Sequence, residues 1–207
     1  MKSMLKDAAI LFAITLIAGL LLGGVYQITK EPIAVQEALK LENACREVFA
    51  DAASFEEAGD FDAVHAEEVL AAGGYTAQTI GGCQTAFDSS GQIIGYVITV
   101  TSHEGYGGDI QFTMGINSDG SLNGISLLSI SETPGLGMQA EDVLVPQFAG
   151  RSSDSFVYTK TGASAENEID AISGATITTN AVTNGVNAGL YYFQSELQSM
   201  TGGAGNE

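Results

Sequence analysis

Asp170-Ala171-Ile172-Ser173-Gly174-Ala175-Thr176-Ile177-Thr178-Thr179 joins a small-residue turn to the start of a helix. Val182, Val186, Leu190, Phe193 and Leu197 follow at spacings of four, four, three and four, which predicts one apolar stripe of an α-helix. Thr178 or Thr179 is expected to cap that helix, because a hydroxyl there accepts from the free N–H groups of the first turn. A helix start carries unpaired donors and partial positive charge, so it is a natural seat for phosphate. Thr176 thus stands just ahead of an anion-friendly end.

Working backward, the middle of the chain reads as β. Ile93 to Thr101 is rich in β-branched residues and follows the turn Asp88-Ser89-Ser90-Gly91. Gly105-Tyr106-Gly107-Gly108 interrupts the pattern before Ile110 to Ile116. Asn117-Ser118-Asp119-Gly120 is a hairpin turn, and Leu122 to Ile130 is the next strand. These three strands are expected to form an antiparallel meander. The third runs into Ser131-Glu132-Thr133-Pro134-Gly135-Leu136-Gly137-Met138, a loop in which proline and glycine suit ligand contact better than core packing. Residues 140–150 are expected to form a short helix. Phe156 to Thr159 is expected to form a short strand, and a polar loop, Thr161–Glu168, leads back to the opening motif.

At the other end, residues 8–29 contain no charge. That length spans a hydrocarbon core of about 30 Å. Lys2 and Lys6 precede it, so residues 1–7 are expected to stay in the cytoplasm and the main domain to lie on the far side, with Tyr26 at the interface. A cleaved signal peptide is the rival reading, but no clean cleavage site follows. Glu31-Pro32 is expected to start a linker, residues 33–50 a helix, and the acidic run 51–68 helical turns with His65 on the surface.

The net charge is −18, and about −20 of it falls on residues 31–207, whose only cations are Lys40, Arg46, Arg151 and Lys160. Nucleic acid is not an expected partner, since phosphate backbones require a basic face. Cys45, Cys83, His65 and His103 lack the close pairing of a structural zinc site, and no metal site is expected. Two buried free thiols are the expected state of the cysteines; a Cys45–Cys83 disulfide stays open for an exported domain. No Gly-x-x-x-x-Gly-Lys loop, Gly-x-Gly-x-x-Gly turn or Gly-x-Ser-x-Gly elbow occurs.

Asp170 together with Ser173-Gly174-Ala175-Thr176 resembles the flavinylation motif of the FMN-binding domains found in the Rnf and Nqr respiratory complexes. In that family the threonine closing the run carries FMN through a phosphoester bond, and the matching position is Thr176. The anchor, Gly105-Tyr106-Gly107-Gly108, the Glu132–Gly137 loop and the Asp170–Thr179 motif all recur in order in the G subunits of Rnf electron-transport complexes, which the chain resembles over nearly its whole length. The related C subunit of the sodium-pumping NADH:quinone reductase shares these motifs but is usually longer.

The resemblance implies an α+β chain: a transmembrane helix at 8–29, a helical linker and N-terminal part at 30–80, one extracytoplasmic FMN-binding domain at 81–198 with an antiparallel sheet and flanking helices, and a disordered tail at 199–207. It implies covalent FMN on Thr176, placed there by an ApbE-type FAD:protein FMN transferase. Ser173, Gly174, Ala175, Thr178 and Thr179 are implied around the phosphate, with Arg151 and Lys160 as the nearest cations. Glu132, Thr133, Pro134, Gly135, Leu136, Gly137 and Tyr106 are implied around the ring, with Met138 beside Leu136. Asp170 matches the acidic position of the acceptor motif. The implied role is electron relay inside a membrane complex coupling ferredoxin and NAD⁺ oxidoreduction to ion movement, with the other complex subunits as partners and no catalytic residue of its own. A stand-alone membrane-anchored extracytoplasmic flavoprotein reductase is the alternative.

Overall fold

The computed structural model describes residues 2–59 and 61–198. Alternation along one strand organises the domain. In β3 (Ile93–Ser102), Tyr96, Ile98 and Val100 join the larger core, whereas Val97 joins a smaller one on the opposite face. Successive strand residues point to opposite sides, so two cores on one strand mean a sheet covered on both faces. The sheet has five antiparallel strands in chain order: β1 (Ser54–Glu57), β2 (Gln78–Phe87), β3, β4 (Ile110–Asn117) and β5 (Leu122–Ser129). Beyond β5 come a 3-10 turn (Gly137–Gln139) and two single-turn helices, α3 (Ala140–Val143) and α4 (Val145–Phe148). A parallel pair follows, β6 (Val157–Thr159) with β7 (Glu168–Asp170), and then α5 (Thr176–Tyr192).

The expected stripe of α5 is the core side of that helix: Val182, Val186, Leu190, Phe193 and Leu197 are all buried. The helix lies against β3 and β4 so closely that a Cβ on Gly185 would sit 2.9 Å from the Phe112 ring, and one on Gly189 would sit 2.0 Å from Met114 Sδ. Helix α2 (Ala63–Ala72), capped by the Asp62 carboxylate, packs on β2 and α5. Each buried Val, Leu or Phe contributes roughly 1.5–3 kcal/mol. Asn187 ties α5 to the chain before β6. Its amide accepts from Phe156 N–H at 2.7 Å and donates to Phe156 C=O at 2.8 Å, all buried.

Helix α1 (Lys2–Val48) is one uninterrupted helix with Pro32 inside it. The expected linker at Glu31-Pro32 is therefore absent; proline costs the helix one donor without ending it here. Its long apolar part is the one described helix able by length and composition to cross a membrane. The chain divides into two units, Met1–Lys40 and Leu41–Glu207. Within the second, Cys45 and Val48 from the last turns of α1 and Phe49 just beyond pack with Ala86 and Val97 on the smaller face of the sheet.

Other expectations need correction. The expected three-strand meander is β3, β4 and β5, and two further antiparallel strands, β1 and β2, extend it. Strand β2 crosses residue 81, and it was hidden because Gly81-Gly82 breaks the alternation at a register shift. The acidic run 51–68 contains edge strand β1 before α2 begins, because Phe55 and its neighbours pair with Ala86 and Thr85 rather than coil. Residues 140–150 break into two short turns at Leu144, next to Pro146. Strand β7 occupies what reads as a loop end. Cys45 and Cys83 are both buried and free, in different cores, and burial pushes the Cys83 thiol up to about 12. The tail at 199–207 lies outside the described residues.

Candidate functional site

Strand pairing brings three loops together. Ser102 of β3 pairs with Ile110 of β4, and Gln111 pairs with Ser129 of β5, so loops 103–109 and 130–136 leave the same end of the sheet. They meet without spacing. A Cβ on Gly107 would lie 2.0 Å from Ser131 O, and one on Gly105 would lie 2.1 Å from Gly108 O. Only glycine allows that approach. Glu132 locks the contact: it is 7% exposed, and its Oε1 accepts from the Tyr106 N–H at 2.7 Å.

Two turns face each other above this junction. In Thr133-Pro134-Gly135-Leu136, Leu136 N–H donates to Thr133 O at 3.1 Å and Gly135 has φ +77°. In Ile172-Ser173-Gly174-Ala175, Ala175 N–H donates to Ile172 O at 3.1 Å and Gly174 has φ +77°. Both have the type II pattern, with glycine at the third position where φ must be positive. Leu136 Cδ2 stands 3.1 Å from where a Gly174 Cβ would be, so the second glycine also makes room for the first turn.

Helix α5 starts at Thr176, not at Thr178 or Thr179. Its N-cap is Ala175, and no side chain caps it. The N–H groups of Thr176, Ile177 and Thr178 consequently have no intrahelical acceptor. Thr179 does a different job from the expected capping: its hydroxyl donates to Ala175 O at 3.0 Å and accepts from Ile172 N–H at 3.1 Å. It fastens the turn from behind and is fully buried.

Together these elements enclose a cavity of about 510 Å³, lined by Tyr106, Glu132, Thr133, Leu136, Gly137, Gly174, Ala175, Thr176, Ile177 and Thr178. Gly137 lies on its floor, where a Cβ would meet Thr178 Oγ1 at 2.5 Å and Glu132 Cβ at 2.7 Å. Of the residues singled out from sequence, Ser173, Pro134 and Gly135 sit in the exposed parts of the two turns, outside the lining, and Met138 is exposed. Ile177 was missed. It falls off the core stripe of α5 and is 52% exposed, and an apolar residue on the wrong face of an amphipathic helix was its only signal.

Neither cation lines the cavity. Arg151 Nη1 donates to Glu166 O at 3.0 Å and Glu168 O at 2.8 Å, beside another groove, and Lys160 is exposed. Backbone donors are left to supply positive potential at Thr176. The Asp170 carboxylate accepts from Ala163 N–H at 2.6 Å, while its backbone exchanges bonds with the Gln147 amide at 2.7 and 3.1 Å. Asp170 therefore closes the 161–168 loop behind the motif.

Residues 105–191 match the family model described as FMN-binding domain, so the cavity belongs to an FMN-binding domain; residues 1–48 match the RnfG N-terminal region. The G subunit of the proton-translocating ferredoxin:NAD(+) oxidoreductase complex of Clostridium ljungdahlii is 31% identical, covering 96% of this chain and 97% of that one. The G subunit of the ion-translocating oxidoreductase complex of Methanosarcina acetivorans is 31% identical, covering 94% and 97%. The G subunit of the Na(+)-translocating ferredoxin:NAD(+) oxidoreductase complex of Acetobacterium woodii is 40% identical over a shorter stretch, 52% of this chain and 53% of its own length. With α1 as its single apolar anchor helix among the described residues, the chain is a single-pass membrane protein. Likeness at this identity over more than nine-tenths of both chains, across the anchor and the flavin domain, places this chain among the G subunits of the Rnf ion-translocating oxidoreductase complexes.

Proposed function

We propose that the chain relays electrons within a membrane-bound ferredoxin:NAD oxidoreductase complex through FMN held on Thr176 by a phosphoester. The observation that carries this reading is the uncapped start of α5, where Thr176 opens onto the cavity beside free backbone donors. The cavity fits the group on chemical grounds. A phosphodiester needs donors without a competing side chain, and the first-turn N–H groups meet that need where lysine and arginine are absent. Thr178 lines the cavity and adds a hydroxyl, while the Thr179 hydroxyl is already spent on the turn.

Tyr106, Leu136 and Ile177 supply the apolar wall that a flavin ring requires, and each is well exposed before anything covers it. Bound FMN supplies one- or two-electron transfer, and the protein's part is to hold and shield it. Glu132 contributes by holding the Tyr106 loop in place. Asp170 shapes the approach to Thr176 by anchoring the neighbouring loop, which gives an ApbE-type transferase an ordered acceptor. The lysine-bearing N-terminus stays in the cytoplasm and the flavin domain faces away from it. The remaining complex subunits are the electron partners.

Co-production with the transferase, followed by mass spectrometry of the peptide containing Thr176, tests the attachment. The flavin phosphoester is expected on Thr176, and the denatured band is expected to fluoresce in the gel. Thr176→Ala should abolish that signal; a glowing Thr176→Ala band would move the bond elsewhere. For topology, a membrane-impermeant thiol reagent applied to intact cells should label a cysteine placed at exposed Ser155.

A further inference from the structure

The 103–109 loop carries Tyr106 to the wall of the cavity, and side chains tie it down at His103, Tyr106 and Glu104. His103 Nδ1 pairs with Asp109 Oδ1 at 2.9 Å, which joins the two ends of the loop to each other. The Tyr106 N–H donates to Glu132, which joins the loop to its neighbour at 130–136. Glu104 makes a third kind of tie. Its Oε2 accepts from Gln78 Nε2 at 2.6 Å and from Asn184 Nδ2 at 2.8 Å.

One carboxylate oxygen thus collects three parts of the domain. Gln78 opens β2, Asn184 lies in the middle of α5, and Glu104 stands two residues before Tyr106. Among the described residues, the Glu104–Asn184 bond is the one side-chain hydrogen bond from this loop to α5. Thr176 opens the same helix, roughly 12 Å along its axis from Asn184. A helix is stiff over that length, so fixing Glu104 on Asn184 fixes the loop relative to Thr176. Gly105 follows Glu104, and a Cβ there would lie 3.0 Å from Glu132 Oε1. The Glu104 and Glu132 ties therefore act on the same short run of backbone.

The donors define what this position needs. Gln78 is 5% exposed, and a buried amide left without an acceptor costs more than its bond contributes. No cation pairs with Glu104 among the described residues. Both donors are neutral amides, so the position calls for an acceptor oxygen rather than a charge. A glutamine carbonyl supplies one, and alanine does not. Glu104 does not line the cavity, so its effect there passes through Tyr106.

We propose that Glu104 is a positioning residue of the flavin site, clasping the 103–109 loop to α5 so that Tyr106 stays against the ring of FMN carried on Thr176. The inference rests on the FMN reading given above.

The experiment uses the full chain in detergent and two readouts. Amide exchange at Tyr106, measured by NMR against the intrinsic rate, is followed in the Thr176→Ala background, which lacks the attachment oxygen. Fluorescence anisotropy per bound flavin is followed in the native, flavin-loaded chain. Glu104→Ala is expected to lower Tyr106 protection about tenfold and to lower the anisotropy, while the β3 and β4 amides stay protected. Glu104→Gln should restore the anisotropy, and the protection to within about threefold of the Glu104 chain, since a charged acceptor is the stronger one. Asn184→Ala leaves the Gln78 bond in place and should reproduce the loosening even if Glu104→Ala fails to fold. Combining it with Glu104→Ala should add nothing, because both remove the same bond to α5. Unchanged Tyr106 protection in Asn184→Ala or Glu104→Ala would overturn the proposal. A Glu104→Gln chain as loose as Glu104→Ala would do the same, as would fully additive losses in the double variant. A wild-type chain that carries no flavin would refute the electron relay, while the exchange readout would still decide whether Glu104 holds Tyr106.

Discussion

Helix α5 meets the rest of the domain in two ways, and glycine serves both. Along its middle, Gly185 and Gly189 make room for the side chains of Phe112 and Met114. Around its first turn, Gly105 and Gly107 make room for other backbone, at 2.1 Å from Gly108 O and 2.0 Å from Ser131 O. A side chain has rotamers to move into, whereas a backbone carbonyl moves only with its loop. The middle of the helix should therefore tolerate change that the loops around Thr176 do not. Stability resides mainly in the first region and cofactor capture in the second.

The largest effect on stability should come from the helix-to-sheet side. Phe112→Ala empties a fully buried ring position beneath Gly185 and should cost about 3–5 kcal/mol by chemical denaturation. Next comes Gly107→Ala, which drives a methyl into Ser131 O. About 2–3 kcal/mol is expected, together with loss of in-gel flavin fluorescence, because Tyr106 and Glu132 move with the loop. Gly185→Ala should cost only about 1 kcal/mol, since crowding against Phe112 is partly offset by the better helix propensity of alanine, and flavin loading should stay normal. If Gly185→Ala loses flavin as completely as Gly107→Ala, the distinction between the two regions fails.

The smallest effect is a pH response confined to the loop behind the motif. Glu168 accepts from Ser164 N–H, Ala165 N–H and the Ser164 hydroxyl, which hold its carboxyl below the ordinary value of 4.5. A depressed folded-state pKa contributes stability above the unfolded value and loses it as pH falls through the folded one. Protection of the Ser164 and Ala165 amides, measured against the intrinsic exchange rate at each pH, should fall as the pH drops below about 4.5. Glu168→Gln should lower that protection and leave it nearly independent of pH, while the α5 amides stay protected.

What could be read in advance followed the range of the interaction. The α5 stripe and the strands around Ile98, Met114 and Ile125 were legible because periodicity needs only near neighbours. Strand β2 was not, because the Gly81-Gly82 shift disguises its alternation. Strand β1 was lost in a run of acids whose charge reads as a solvated helix. The capping role expected of Thr178 or Thr179 failed because the hydroxyl of Thr179 found a better pair of partners in the turn at Ile172 and Ala175.

By itself, the order of residues determined an apolar anchor, a glycine-punctuated antiparallel sheet and a threonine presented by a small-residue turn at a helix start, since each depends on local spacing. Tertiary structure alone decided that Glu132 secures Tyr106, that Ile177 walls the cavity and that Arg151 is used elsewhere. Those outcomes join residues far apart along the chain, and a buried polar group takes whichever partner the packed fold brings within reach.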